Sequence, residues 1–198
     1  MRISKREVRE FNTTNLIPHV YKHGEEVSRM NWPAGREPCR LLAYMACQMS
    51  GAKIAEIGIR HGTCSIALAC NLTNTVDCYD VHYPYVEECR ERIRFPNIQF
   101  FYEDLLEDKN IHKTLDYDLI FLDVDPHDGV KERIWSDYWI KHDYKGTVVC
   151  DDILHNYWPE LAKWWDSITI TKYDVTDIGH LSGTGIIDFS GKVEIIND

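Results

Sequence analysis

Between residues 53 and 153, five short β-rich runs are separated by stretches long enough to form helices, and this rhythm constrains the fold more than any other feature. KIAEIGI (53–59) reads as a strand and TCSIALACNL (63–72) as the helix after it. TVDCYDV (75–81) is a second strand, and YVEECRERIR (85–94) is a helix with acids early and arginines late, matching its dipole. NIQFFY (97–102) is a third strand, followed by a short helix or turn in EDLLEDKNIHKTL. YDLIFLDVD (117–125) and KGTVVCDDI (145–153) are the fourth and fifth, with a helical stretch around 129–141 between them. Parallel strands joined by crossover helices are covered on both faces, so their apolar runs lose the polar alternation of half-exposed strands. IFL and VVC run on in this way, which predicts an α/β, doubly wound, mostly parallel sheet.

The two ends depart from that rhythm. After a helix at YWPELAKWWDS (157–167), ITITKYDV (168–175) and GTGIIDFS (183–190) are separated by TDIGHLS, too short for a crossover helix. They are expected as an antiparallel pair at one edge, completing a seven-stranded Rossmann-like sheet. Upstream, PCRLLAYMACQMSG has proline near its start and Gly51 as a stop, so it reads as a covering helix. The first residues are polar and end in NWPAGREP, whose prolines and glycine punctuate the chain. Residues 1–37 are therefore expected as an extension, whether lid, subunit contact or flexible tail, before a domain spanning 38–198. A length of 198 residues suits one such domain.

Composition narrows the partners. With 22 basic against 32 acidic residues the net charge is −10, which opposes nonspecific attraction to nucleic acid or anionic membranes. No apolar run approaches the roughly 20 residues that span a bilayer, and the charged start lacks the apolar core of a signal peptide. The seven cysteines are odd in number, scattered and without a C-x-x-C spacing, which predicts free thiols in a reducing compartment, hence a cytoplasmic protein.

The turn after the first strand, Glu56-Ile57-Gly58-Ile59-Arg60-His61-Gly62, falls at the carboxyl edge of the sheet, where doubly wound folds bind ligands. Gly58 permits a tight turn and close approach of a ligand to backbone; Gly62 lets the next helix start near the sheet. Arg60 stands where a dinucleotide fingerprint has its second glycine, which argues against a nicotinamide-dependent oxidoreductase. Glu56 would repel a diphosphate and attract a cationic amine. Asp80, at the tip of the second strand, is placed to accept ribose hydroxyls, or to serve as a turn residue. Asp104, with Glu103 as the alternate, is placed to receive an exocyclic adenine amine, or to cap the next helix.

These residues resemble the class I S-adenosylmethionine-dependent methyltransferases. AKIAEIGIRHGTCSIAL looks like the E-x-G-x-x-x-G cofactor loop of their small-molecule O-methyltransferases, and the closing antiparallel pair is similar to the edge of their sheet. The resemblance implies that Glu56, Gly58 and Gly62 line the methionine end of the cofactor, Asp80 the ribose and Asp104 the adenine.

A second group of acids follows. YDLIFLDVDPHDG carries Asp123, Asp125, His127 and Asp128, and KGTVVCDDILHNY carries Asp151 and Asp152. Tips of adjacent strands lie about 5 Å apart, so Asp123, Asp151 and Asp152 are placed to converge, unless they are ordinary solvated strand-end acids. Converging carboxylates repel, and a hard divalent cation such as Mg2+ relieves the conflict. Such an ion lowers the pKa of a bound hydroxyl and orients it toward a methyl donor. FLDVD and VVCDDI resemble the paired acidic motifs of the metal-dependent sugar O-methyltransferases related to macrocin O-methyltransferase, which implies Asp123, Asp151 and Asp152 as metal ligands. Relatives read Asp-Gly-Asp-His here; this chain has Pro126 at the histidine position and His127 one residue later. The general base is left open among His127, His155 and Asp125.

Trp135 and Trp139 share a helix face and read as core, while Trp158 follows the acidic tip and is the tryptophan best placed for an acceptor pocket. Gly183 and Gly185 of HLSGTGIIDF are expected to ease a turn into the last strand. No D/N-P-P-Y motif follows the fourth strand, which favours oxygen over a planar nitrogen as acceptor. The expectation is a cytoplasmic O-methyltransferase using S-adenosylmethionine and Mg2+ on a small polar acceptor, with no nucleic-acid or membrane partner and with homo-oligomerisation open. An inactive nucleoside-binding regulatory domain and an NAD-dependent oxidoreductase are the alternatives.

Overall fold

The computed structural model describes residues 1–20 and 25–198; residues 21–24, within the stretch expected as an extension, lie outside the described residues. In chain order the elements are β1 (Arg2–Ser4), α1 (Lys5–Glu10), α2 (Glu25–Asn31), α3 (Cys39–Cys47), β2 (Lys53–Ile57), α4 (Thr63–Leu68), β3 (Thr75–Asp80), α5 (Tyr83–Arg92) and β4 (Ile98–Tyr102). Then come β5 (Leu119–Leu122), α6 (Val130–Lys141), β6 (Thr147–Asp151), α7 (Pro159–Ser167), β7 (Lys172–Asp174), β8 (Thr184–Asp188) and β9 (Glu194–Ile196). Single 3-10 turns span Thr14–His19 and Ile111–Asp116.

The main sheet has seven strands in the order β4-β3-β2-β5-β6-β8-β7. All neighbours are parallel except β6–β8 and β7–β8, the expected antiparallel edge pair. β5 and β6 are buried at every position, as their unbroken apolar runs require when helices cover both faces. On one face α3, α4 and α5 pack Leu41, Leu42, Ile66, Leu68 and Val86 against Ile54, Val76 and Leu119. On the other, α6 and α7 pack Trp135, Trp139, Leu161, Trp164 and Trp165 against Ala55, Ile120 and Val148.

Several boundaries differ from the sequence reading, each for a local reason. The first crossover helix ends at Leu68 because the Asn97 side chain gathers the carbonyls of Ala69, Asn71 and Asn74. α5 begins at Tyr83, with Pro84 in its first turn, where a missing N–H costs nothing. Residues 168–171 are not strand: Ile168 caps α7 and the chain uses the next residues to reach the edge, so β7 is only three residues long. Gly185 lies inside β8 rather than in a turn, and a Cβ there would meet the Trp165 ring at 2.4 Å.

Residues 1–37 contribute Ile3, Val8, Leu16, Val20 and Met30 to the same core that α3 and α4 line. β1 pairs in parallel with β9, Ile3 opposite Ile195, and the Ser4 hydroxyl donates to Asp198, so the first and last strands hold each other. Among the described residues, no helix is long and apolar enough to cross a membrane.

Trp139 is fully buried, donates its indole N–H to Thr114 Oγ1 at 2.9 Å and packs on Tyr144 and Phe189. Trp139→Ala should cost about 3–5 kcal/mol in urea unfolding; a loss below about 1 kcal/mol would contradict this packing.

Candidate active site

The strand order reverses between β2 and β5, which opens a crevice at their carboxyl ends. Gly58 follows β2 with φ +95°, its N–H donating to the Tyr79 carbonyl, and a Cβ on it would lie 1.7 Å from the Asp123 carbonyl oxygen. No side chain fits there, so the loop after β2 lies directly on the backbone that carries the acids after β5. Gly62 occupies the N-cap of α4 with φ +69°, and a Cβ there would sit 2.5 Å from Cδ1 of Ile93, the C-cap of α5.

Asp80 binds this loop together. Its Oδ2 accepts from the backbone N–H of Ile59 at 2.8 Å and of Arg60 at 3.4 Å, and its Oδ1 accepts from His82 N–H at 2.7 Å. Arg60 takes a left-handed φ of +51° in the process. Glu56 is buried and accepts a hydrogen bond from the Ser65 hydroxyl of α4. Burial raises its pKa most, with a further push from the Asp80 charge; the hydrogen bonds from Ser65 and Cys78 pull the other way, leaving it at about 8. Asp104 is exposed, its Oδ1 accepting from Leu106 N–H at 2.8 Å, while Glu103 is taken up by the Lys113 ammonium. Asp104 and Glu103 line a cavity of about 440 Å³ with Val81 and Tyr102, between the ends of β3 and β4.

The β5–β6 register sets Leu122 opposite Cys150, so Asp123 and Asp151 emerge side by side. Asp152 follows with a left-handed φ of +64°, a conformation that aspartate tolerates better than most residues. Burial pushes Asp123 well above the usual carboxylate range, and the neighbouring charges of Asp151 and Asp152 push it further. Asp151 is also raised by burial, but a hydrogen bond and the charge of His180 oppose this.

His180 and Glu37 were not singled out from sequence. His180 Nδ1 lies 3.0 Å from Asp151 Oδ2 and 2.7 Å from the Ser182 hydroxyl, while its Nε2 lies 3.8 Å from Glu37 Oε1. Burial, the largest single effect, pulls the imidazole pKa down; the hydrogen bond and charge of Asp151, with Glu37 and Asp152, together outweigh it and lift it to about 9. The antiparallel pairing of β6 with β8 holds the signal for His180: Asp151 faces Thr184, so residues just before β8 must lie at the acidic tip.

Of the three base candidates, His127 is the one that reaches the acids. Its Nε2 is 3.4 Å from both Asp152 Oδ2 and Asp125 Oδ1, and its ring packs on Trp158 with centroids 4.4 Å apart. Asp125 is nearly fully exposed. His155 points elsewhere, pairing with Asp166 of α7 at 2.8 Å on the surface. Trp135 and Trp139 are core residues, as expected.

Among the described residues, two groups of donor atoms are close enough to share an ion: Asp123, His127 and Asp152, and Asp151, Asp152 and His180. The three expected ligands lie together: Asp151 pairs with His180, while Asp123 and Asp152 lie close to His127. Two carboxylates, one of them crowded by like charge, are oxygen donors that suit a divalent cation, with the His127 imidazole beside them.

No protein-family model matches the chain, and no curated protein matches it in sequence. Its fold, however, is that of solved methyltransferases. A methyltransferase from Podospora anserina with S-adenosylhomocysteine bound superposes with a TM-score of 0.62 at 13% identity, over 89% of this chain and 86% of that one. An O-methyltransferase from Bacillus cereus in complex with S-adenosylhomocysteine gives 0.56 at 15% identity, over 91% and 98%. An S-adenosylmethionine-dependent O-methyltransferase from Thermotoga maritima gives 0.53 at 17% identity, over 86% and 69%. The chain has the class I methyltransferase fold.

Glu56 binds its proton more tightly folded than unfolded. Its contribution is therefore fully present below the ordinary glutamate range near 4.5 and is lost as pH rises through about 8. Glu56→Gln should remove this dependence: relative to the unsubstituted chain, the variant should gain on the order of 3 kcal/mol in urea unfolding between pH 5 and pH 9. Parallel pH profiles for the two chains would rule out the buried-carboxyl assignment.

Proposed function

We propose that this chain is an S-adenosylmethionine-dependent O-methyltransferase acting on a small polar acceptor, with a divalent cation, Mg2+ in the first instance, at the acidic tip of β5 and β6. The reading rests on carboxylates at successive strand ends along one edge of the sheet: Glu56 in β2, Asp80 and Asp104 at and after the ends of β3 and β4, and Asp123, Asp151 and Asp152 at the ends of β5 and β6. The solved relatives that hold S-adenosylhomocysteine share the fold and support the same cofactor here.

In this reading Glu56, protonated while no cation faces it, ionises to receive the cofactor's ammonium group. Asp80 accepts three loop N–H groups, which leaves about one of its roughly four acceptor sites, on Oδ1, for a ribose hydroxyl. The base occupies the cavity beside Asp104, whose carboxylate accepts the adenine amine. Asp123 and Asp152 hold the cation, which when bound acidifies and orients an acceptor hydroxyl. His127 takes that hydroxyl's proton at Nε2, and the Asp152 carboxylate beside it favours the imidazolium that forms. Transfer is an in-line displacement at the methyl carbon, so holding the acceptor oxygen opposite the sulfonium is the main service of the site.

The competing nucleoside-binding domain would use the same rim without a metal requirement, and the oxidoreductase reading is disfavoured by Arg60 in the cofactor loop. Titration calorimetry separates them. S-adenosylhomocysteine should bind, and Asp80→Asn should weaken it about 10–100-fold, the worth of hydrogen bonds to a charged group. MgCl2 should raise the thermal midpoint of the unsubstituted chain but not of Asp152→Asn. Binding of nicotinamide dinucleotide in place of S-adenosylhomocysteine would overturn the proposal; nucleoside binding with no response to divalent ions would reduce it to the regulatory domain.

A further inference from the structure

α3 and α4 end beside one another, and each end carries a thiol that the reading above does not use. Cys47 is the last residue of α3 and is exposed; Cys70 lies two residues beyond α4 and is half-buried. Their sulfurs are 3.1 Å apart across 23 residues of sequence, and the Cys70 thiol also reaches the Ala43 carbonyl at 3.2 Å. Among the seven cysteines, four are buried, two are half-buried and Cys47 alone is exposed, so an oxidant meets it first. The hydrogen bond from Cys70 lowers the Cys47 pKa to about 7, against the opposing effect of burial, so a large fraction is thiolate near neutral pH.

An exposed nucleophilic sulfur with a second sulfur already in contact is the arrangement of an attacking and a resolving cysteine. We propose that Cys47 and Cys70 form a reversible disulfide when the protein meets a low-molecular-weight disulfide such as oxidised glutathione, making this pair a site of oxidative modification. The Cys47 thiolate attacks one sulfur of the oxidant, forming a mixed disulfide and expelling one thiolate. That thiolate takes the Cys70 proton, and the Cys70 sulfur then attacks Cys47 and expels the second. Two protein thiols are oxidised and one external disulfide is reduced to two thiols. A disulfide requires sulfurs about 2.05 Å apart, so closure needs a movement of about 1 Å. The bond would fasten the end of α3 to the end of α4, the helix that begins at Gly62 of the cofactor loop.

The test is treatment of the folded full chain with oxidised glutathione near neutral pH, followed by intact mass, thiol titration in denaturant and peptide mapping. The chain should lose the mass of two hydrogens, its titratable thiols should fall from seven to five, and a peptide joining Cys47 to Cys70 should appear. Dithiothreitol should reverse all three changes, and the thermal midpoint should rise on oxidation. In Cys70→Ser the glutathione adduct should persist on Cys47. A stable glutathione adduct on Cys47 of the unsubstituted chain, a first crosslink between any other pair, or a folded chain that stays fully reduced while the unfolded chain oxidises would each overturn the proposal.

Discussion

The site depends on the contact between Gly58 and Asp123. The loop after β2 approaches the backbone after β5 so closely that the Asp123 carbonyl occupies the space a Cβ on residue 58 would need. That approach joins the two halves of the crevice. On one side it fixes Ile59 and Arg60 where Asp80 can hold their N–H groups; on the other it fixes the strand tip that presents Asp123. A larger residue would separate the Asp80 side of the crevice from the Asp123 side, and the position has φ +95°, where glycine carries no steric penalty.

What that contact gathers is negative charge with little local compensation. Burial and mutual repulsion hold Glu56, Asp123 and Asp151 toward their protonated forms. His180, protonated by its surroundings, balances part of it, and the His127 ring lies 3.4 Å from Asp152. In the proposed reading that crowding is what an ammonium near Glu56 and a metal ion near Asp123 and Asp152 would answer. If the proposed ligands bind there, they would relieve repulsion already present in the folded chain.

The parallel sheet was legible because buried strands such as 119–122 and 147–151 show themselves as unbroken apolar runs, and the edge pair because its connection is too short to cross over. The acids were legible because strand ends in such a sheet face one crevice. Direction was harder. His127 and His155 each follow an acidic tip, yet one ring turns onto Trp158 beside Asp152 and the other swings out to Asp166; loop conformation decides this, and periodicity says nothing about it. His180 and Glu37 were missed because His180 reaches Asp151 across about thirty residues and Glu37 reaches His180 across more than a hundred, both through tertiary packing alone. β1 and β9 are three residues each and lie at opposite ends of the chain, so neither carries a pattern of its own, although their pairing helps anchor the first residues in the core.

The central claim is that one rim of the sheet grips a sulfonium nucleoside and a divalent cation side by side. A crystal structure of the protein soaked with S-adenosylhomocysteine and magnesium chloride tests this most directly. The account predicts the ribose at hydrogen-bond distance from Asp80, the amine facing Glu56, and metal density touching Asp123 and Asp152. A nucleoside lodged away from Asp80, with the Glu56 and Asp123 side of the crevice empty, would contradict it.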